Sequence, residues 1–454
     1  MSFLTNEKYQ SSSESSSSSQ DVGTDGLPVQ SEYESESEDK NIGLDQEEDQ
    51  SEVKQTQSAP ATVMNMLNSI LGSGILSIAN CFIPTGFITS LILLIVLAFL
   101  SLVATIMVLR LSSETNSIGF NELTLKISGK VGTIILSILN LCFLVLGLIT
   151  YFIIATDSLV SWFQLGGIDL SDKYKRAVCT LIYSIIPIAL TIPRNISFLR
   201  FCSTATVFLI AFYSVVMIYK MSAYVNEHHQ INPTAHVALL RFEIFQSFST
   251  YGISFALPAV VMPAIRLYKK KLSDRIKVAI AAVVVAFVFV MISGCCGYII
   301  FGDSCNGNVL LNFENNDIII IIVRAGFFVI VTCAYPMLGQ SVMGSWGQLI
   351  FKEDNIPDMK TCKRSIVLLI TNLIPLIVAM FLPDIKPVLA ISGAFGGCLV
   401  DFVYPAVLWI IHHRSVYKTF DYRNILCVLF ALFGLATAAI STYQSVISAI
   451  DAFK

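Results

Sequence analysis

The stretch Asn65-Met-Leu-Asn68-Ser-Ile-Leu71-Gly72-Ser73-Gly74-Ile-Leu-Ser77 lies inside a hydrophobic run from about 61 to 84. A helix needs roughly 20 apolar residues to cross a bilayer, and this run is long enough. Yet it carries two asparagines, three serines and a Gly-Ser-Gly at mid-membrane depth. Asn65, Asn68 and Gly72 are spaced i, i+3, i+7 and share one helical face. Glycines 72 and 74 weaken a helix there. Backbone groups freed inside hydrocarbon persist only beside protein or a polar cavity. Small residues also suit tight helix packing, but packing alone does not ask for two asparagines. The stretch therefore reads as a broken helix lining a substrate site.

Ten further runs follow, at about 87–109, 133–155, 177–193, 201–221, 242–265, 278–301, 318–345, 364–382, 387–411 and 424–450. They lack the alternation of barrel strands, so eleven transmembrane helices are expected. The chain is 54% apolar and only 13% charged, about half the charge of a typical soluble domain. Its net charge of −3 hides an asymmetry: residues 1–58 hold 14 Asp/Glu against 3 Lys, and the remainder 26 Lys/Arg against 18 Asp/Glu. The two expected domains are thus an acidic, serine-rich tail over 1–58, too polar to bury a core and read as disordered, and an eleven-helix membrane domain over 59–454. The tail contains no apolar segment that would make a signal peptide, so the first span would direct insertion. Its serine–acidic clusters suit a kinase or a cytosolic partner. With the N-terminus inside, the inner loops hold 18 Lys/Arg, while the outer loops and C-terminal end hold 7. That bias predicts a cytosolic N-terminus and a lumenal or extracellular C-terminus.

The sixth run repeats the theme of the first. Gln246, Ser247, Ser249, Thr250, Gly252 and Ser254 lead into Phe255-Ala-Leu-Pro258, where proline interrupts the helix. Interruptions at spans one and six fall at matching positions of a five-plus-five arrangement, the sequence pointer to a midplane site in inverted-repeat transporters. Asp401 falls past the middle of span ten, where a carboxyl is costly unless paired or hydrated; it is a candidate for coupling. Arg324, about 10 Å into span eight at the helical rise, is expected to be structural, and Asp157 to be solvated at the outer interface. Thr332 lies near Pro336. The 11 cysteines have no metal spacing; a disulfide from Cys305 to Cys179 or Cys81 stays open. His228, His229 and His236 share a loop without metal-ligand spacing, and His412-His413 read as interface residues. Phosphate cradles, nucleophile–base pairs and paired carboxylates are absent from the sequence pattern, which argues against an enzyme.

At these residues the chain resembles the amino acid/auxin permease family, which includes vacuolar amino acid transporters and the sodium-coupled neutral amino acid transporters of animals. Four stretches carry the likeness. They are Asn68 to Leu76, Pro187 to Leu199 with its Pro193-Arg194, Gly297 to Asp303 followed by Val309 to Phe313, and Ile391 to Pro405. The resemblance implies an all-α, LeuT-like fold: a five-plus-five inverted repeat with an eleventh helix and breaks in helices one and six. It implies secondary active transport of neutral amino acids by alternating access, with no cofactor beyond the transported proton or sodium ion. Main-chain groups around Leu71, Gly72, Ser73 and Gly74 and around Ser254, Phe255 and Pro258 would hold the substrate's carboxylate and amine, with Asn68 beside them. Asn65, Asn68, Thr332 and Asp401 are the coupling-ion candidates. Two departures lean toward protons: Ala256-Leu257 stands where many sodium-coupled members have Cys-His, and Tyr335-Pro-Met-Leu338 where they have Phe-Pro-Ile-Arg. A vacuolar or lysosomal membrane is favoured, with the plasma membrane as the alternative. The other functional class is a transporter-like amino acid sensor that signals through the tail.

Overall fold

Ser58 accepts a hydrogen bond from the Ala61 amide, and Pro60 sits in the first turn, so α1 begins at Ala59 and runs to Ile70. A side-chain acceptor at the cap and a proline needing no donor are the usual start of a helix. The helix stops because Leu71 leaves helical space at ψ 72° and Gly72 adopts φ −96°, ψ −143°. The chain continues as two tight 3₁₀ turns, Ser73–Ser77 and Asn80–Phe82. The computed structural model describes residues 57–170, 172–194, 200–352, 359–382, 384–416 and 421–453. The tail up to residue 56, residues 195–199 of the arginine-containing turn, and Lys418 lie outside them. All described residues belong to one unit, Val53–Lys454.

Next come α2 (Gly86–Thr115), α3 (Phe120–Leu165), α4 (Lys173–Thr191) and α5 (Arg200–His228). α2 needs its first glycine: Gly86 has φ +72°, and a Cβ there would lie 2.9 Å from the Leu239 amide nitrogen. α3 is one element with a break at Gly129 (φ 73°, ψ −168°), so its first turns form a separate arm ahead of the long run. Span six divides into α6 (Ile244–Ile253) and α7 (Leu257–Ile265). Then follow α8 (Leu272–Phe301), α9 (Ile318–Phe351), α10 (Thr361–Phe381) and α11 (Ile385–Gly393). A π-helical stretch, Ala394–Val403, joins α11 to α12 (Tyr404–His412), and α13 (Tyr422–Phe453) ends the bundle. Among the described residues, nine helices are long and apolar enough to cross a membrane. The two expected spans outside that set are the first, cut into short pieces, and α4, whose start holds Lys173, Lys175 and Arg176.

Loop contacts sort the helix ends into two groups. At one end, the Gln57 amide donates to the Leu267 carbonyl at 3.2 Å. There too, Arg364 donates to the Ile192 carbonyl at 2.7 Å, and Glu114 lies 3.2 Å from His412. At the opposite end, the Phe87 and Ile88 amides donate to the His236 and Val237 carbonyls, and Asn308 donates to Asp157 at 3.0 Å. Asp157 is therefore not solvated, as the sequence suggested. It is 3% exposed and also pairs with Arg176 at 2.6 Å, because the loop between α8 and α9 folds over it. Arg324 is 2% exposed and holds that same loop, donating to the carbonyls of Leu310 and Phe313 and to Asn315. Cys305, Cys179 and Cys81 are joined by no disulfide among the described residues.

Candidate functional site

Both interrupted spans predicted from the sequence are interrupted in the structure, and the interruptions meet. A Cβ placed on Gly74 would lie 3.2 Å from the Ser254 hydroxyl oxygen and 3.4 Å from the Ile253 side chain. A glycine lets the two broken chains approach this closely without displacing either side chain. Gly72 faces a different neighbour: the Tyr151 hydroxyl of α3 is 3.8 Å from its would-be Cβ. Leu71, Ser73, Gly74, Ser254, Phe255 and Pro258 are buried around this junction, and Gly72 is partly open.

The main chain freed by the breaks finds partners from neighbouring helices. At span six, Ser101 of α2 donates to the Phe255 carbonyl at 2.5 Å. Asp401, in the π-helical stretch, accepts from the Ala259 amide at 2.9 Å through one carboxylate oxygen. That amide belongs to the first turn of α7, where amides lack helical partners and the positive end of the dipole favours an anion. The second Asp401 oxygen is buried without a hydrogen-bond partner. Asp401 itself is 1% exposed, which corrects any picture of it as a hydrated interfacial acid. At span one, Ser293 of α8 donates to the Ile75 carbonyl at 2.8 Å and shares a hydrogen bond with the Tyr213 hydroxyl at 2.7 Å.

Span ten lies against α6 backbone to backbone. A Cβ on Gly393 would fall 1.9 Å from the Ser249 carbonyl oxygen, and one on Gly397 would fall 2.6 Å from the Gly252 carbonyl carbon. The π-helical stretch widens the turn just where these glycines and Asp401 face span six. Such wide turns are frequent at functional sites.

The coupling-ion candidates are not gathered at one point. Asn65 is exposed and Asn68 half-buried on α1. Thr332 donates to the Phe328 carbonyl at 2.6 Å and pairs with the Tyr183 hydroxyl at 2.8 Å, and neither partner belongs to α1. Asp401 adjoins α7. Three residues the sequence did not single out reach the breaks directly, Ser101, Tyr151 and Ser293, and Tyr213 adjoins them through Ser293. A lone hydroxyl in an apolar span has no pattern to distinguish it. Among the described residues there is no group of His, Cys, Asp or Glu that would hold a metal.

Comparison with known proteins follows the same lines. The family model described as transmembrane amino acid transporter protein matches residues 55–447. Solute carrier family 38 member 10 of Rattus norvegicus is 22% identical over 367 residues, covering 78% of this chain and 33% of that protein. The chain thus spans about a third of the length of such relatives. Sodium-coupled neutral amino acid transporter 7 of Danio rerio is 25% identical over 376 residues, covering 77% of this chain and 78% of the relative. Among solved structures, MhsT in complex with L-phenylalanine aligns with a TM-score of 0.49 and 14% identity, over 88% of this chain and 99% of that one. With a family model matched along nearly its whole membrane domain, the chain is an integral membrane protein that belongs to the transmembrane amino acid transporter family, the amino acid/auxin permeases.

Proposed function

We propose that the protein is a secondary active transporter of neutral amino acids, working by alternating access across a vacuolar or lysosomal membrane. The observation that carries this reading is the meeting of two broken helices, Gly74 against Ser254 and Ile253. Main-chain amides at Ser73 and Gly74 offer donors to a substrate carboxylate, while the Gly72 amide donates to the Ile70 carbonyl at 2.9 Å and shapes the break. Carbonyls of Leu71 and Ser254 offer acceptors to its amine, with Asn68, Phe255 and Pro258 shaping the edge. Because Asp401 already holds the Ala259 amide, the carboxylate is assigned to the span-one side. Neither 65–77 nor 251–263 contains a charged residue, which favours a substrate with an uncharged side chain.

Eleven crossings fit the contacts at the two ends, and the five-plus-five repeat is the arrangement that the paired breaks in spans one and six suggest for them. Span one runs from Gln57, bonded to Leu267, to Asn80, which donates to the Cys305 carbonyl at 2.6 Å. α4 runs from Arg176, beside Asp157, to Ile192, beside Arg364. Added to the nine long helices, these two bring the count to eleven. The basic loops then place the N-terminus in the cytosol.

The relatives named sodium-coupled favour sodium as the driving ion. Asp401 and the departures at Ala256-Leu257 and Tyr335-Pro-Met-Leu338 favour protons, and protons are the reading adopted. A carboxylate that takes a proton would hold the Ala259 amide more weakly, through a neutral acceptor, so its charge state is tied to the seating of α7. Uptake of a panel of amino acids into liposomes, with proton and sodium gradients imposed separately, tests both points. The expected result is proton-driven uptake of neutral amino acids whose pH dependence disappears in Asp401→Asn while substrate binding is kept. Uptake that follows sodium at fixed pH and collapses in Asn68→Ala would overturn the proton reading. No uptake of any amino acid would overturn the transporter reading itself.

A further inference from the structure

A groove of about 710 Å³ opens between α1, α5 and α8, away from the junction of the breaks. Its walls are apolar, with Val63, Leu67, Phe208, Ala281 and Phe289 among them. Along α8 the lining residues Lys277, Val278, Ala281, Val285 and Phe289 form one stripe. From the first to the last of these, the stripe is about 18 Å long at the helical rise, close to the roughly 15 Å hydrocarbon depth of one leaflet. Phe208 is 62% exposed, so the groove is open along its side to the bilayer.

The mouth of this groove is basic. Tyr268, Asp274 and Lys277 line it, and the connection from α7 to α8 with the first turns of α8 holds Arg266, Lys269, Lys270, Lys271, Arg275 and Lys277 against the single acid Asp274. Arg266, the three consecutive lysines and Lys277 are exposed. Among the described residues, internal contacts occupy little of this charge: Arg275 donates to the Lys269 carbonyl at 2.9 Å, and Lys277 lies 3.9 Å from Asp274. A cluster of bases at the membrane surface attracts anionic headgroups, each base contributing roughly fivefold in affinity.

We propose that this groove and the adjoining basic loop form a site for an anionic phospholipid, one acyl chain seated between α1, α5 and α8 and the headgroup on the lysine run. The apolar stripe sets the chain's depth and the basic mouth selects the headgroup charge. The site also touches a mechanically distinctive element. α1 joins the rest of span one through the non-helical Leu71 and Gly72, and Gln57 ahead of it bonds to Leu267 of the same basic connection. A lipid held here packs α1 against α5 and α8. The inference does not depend on which solute is carried.

Native mass spectrometry of the purified full-length chain, titrated with phosphatidylserine or phosphatidylcholine of identical acyl composition, reads the site without any transport assay. The expected result is a preference for phosphatidylserine of at least roughly tenfold. The triple change Lys269→Gln, Lys270→Gln, Lys271→Gln should bring the two lipids near parity, while the corresponding triple change to arginine keeps the preference. Ala281→Trp, and independently Ala211→Phe from the opposite wall, should lower retention of both lipids by filling the groove. Equal retention of the two lipids by the unmodified chain would overturn the proposal. So would undiminished phosphatidylserine retention by both groove-filling variants, which would leave only a charged surface. Competition by soluble glycerophosphoserine as strong as that of the whole lipid would overturn it as well, since the acyl chain would then contribute nothing.

Discussion

The two broken spans solve one problem in different ways. Span six is interrupted over three residues, 254–256, and resumes as α7. Its loose main chain is stitched from both sides, by Ser101 at the Phe255 carbonyl and Asp401 at the Ala259 amide, and α6 is pressed backbone to backbone on Gly393 and Gly397. Span one is interrupted at Leu71 and Gly72 and resumes only as short 3₁₀ turns. Its one side-chain stitch near the break comes from Ser293 at Ile75, among the described residues. The difference teaches that two helix breaks in one site need not be equally fixed. Span six is held as a firm wall, and span one is the more easily rearranged partner.

The largest expected effect tests the firmness of span six. Gly393→Ala places a methyl group 1.9 Å from the Ser249 carbonyl oxygen, and a backbone atom cannot yield as a side chain does. A loss of about 3 kcal/mol or more is expected, visible as a strongly lowered unfolding temperature in detergent; a near-normal transition would show that α6 is not clamped there. Asp401→Leu comes next, leaving the part-buried Ala259 amide unpaired at a cost of about 1–3 kcal/mol. Asp401→Asn keeps an acceptor oxygen and should retain most of that stability, so equal losses in the two variants would remove the capping role.

Contact between the spans is tested by a cycle of variants. Gly74→Ala brings a methyl group to 3.2 Å from the Ser254 hydroxyl oxygen and should slow uptake several-fold. Adding Ser254→Ala should restore part of the loss, and strictly additive effects would mean the breaks do not touch. The smallest effects compare the stitches directly. Ser101→Ala and Ser293→Ala each remove a hydrogen bond worth about 0.5–1.5 kcal/mol. The first should also speed hydrogen exchange in span six and the second in span one. Faster exchange in the other span would reverse the assignment.

Much of the architecture was legible in the sequence because the bilayer imposes long apolar runs, and because glycine and proline have strong local effects at Gly72, Gly74 and Pro258. Broken spans one and six were read from those residues alone. What escaped the reading depends on partners distant in the chain. Asp157 looks like an interfacial acid until a loop some 150 residues later brings Asn308 to it. Ser101 and Ser293 are ordinary serines in apolar helices until the carbonyls they serve are known. Gly393 and Gly397 lie in the family-like stretch Ile391 to Pro405, yet their use, a close approach to α6, exists only in three dimensions. Likewise the π-helical turn is set by packing around Asp401, which periodicity within 387–411 does not encode.

The loop between α8 and α9 has a practical consequence. Cys305 within it is 4% exposed, and Cys81 of span one is 3% exposed. Burial, with a smaller contribution from neighbouring Cys81, pushes the Cys305 thiol up to about 12, so it carries little of the reactive thiolate while the loop is seated. A membrane-impermeant thiol reagent applied on this side would therefore react only during excursions that lift the loop. At low reagent the rate counts how often the loop is up, and at saturating reagent it approaches the rate of lifting. The native chain thus carries its own stopwatch for the opening of one face, readable without an added label.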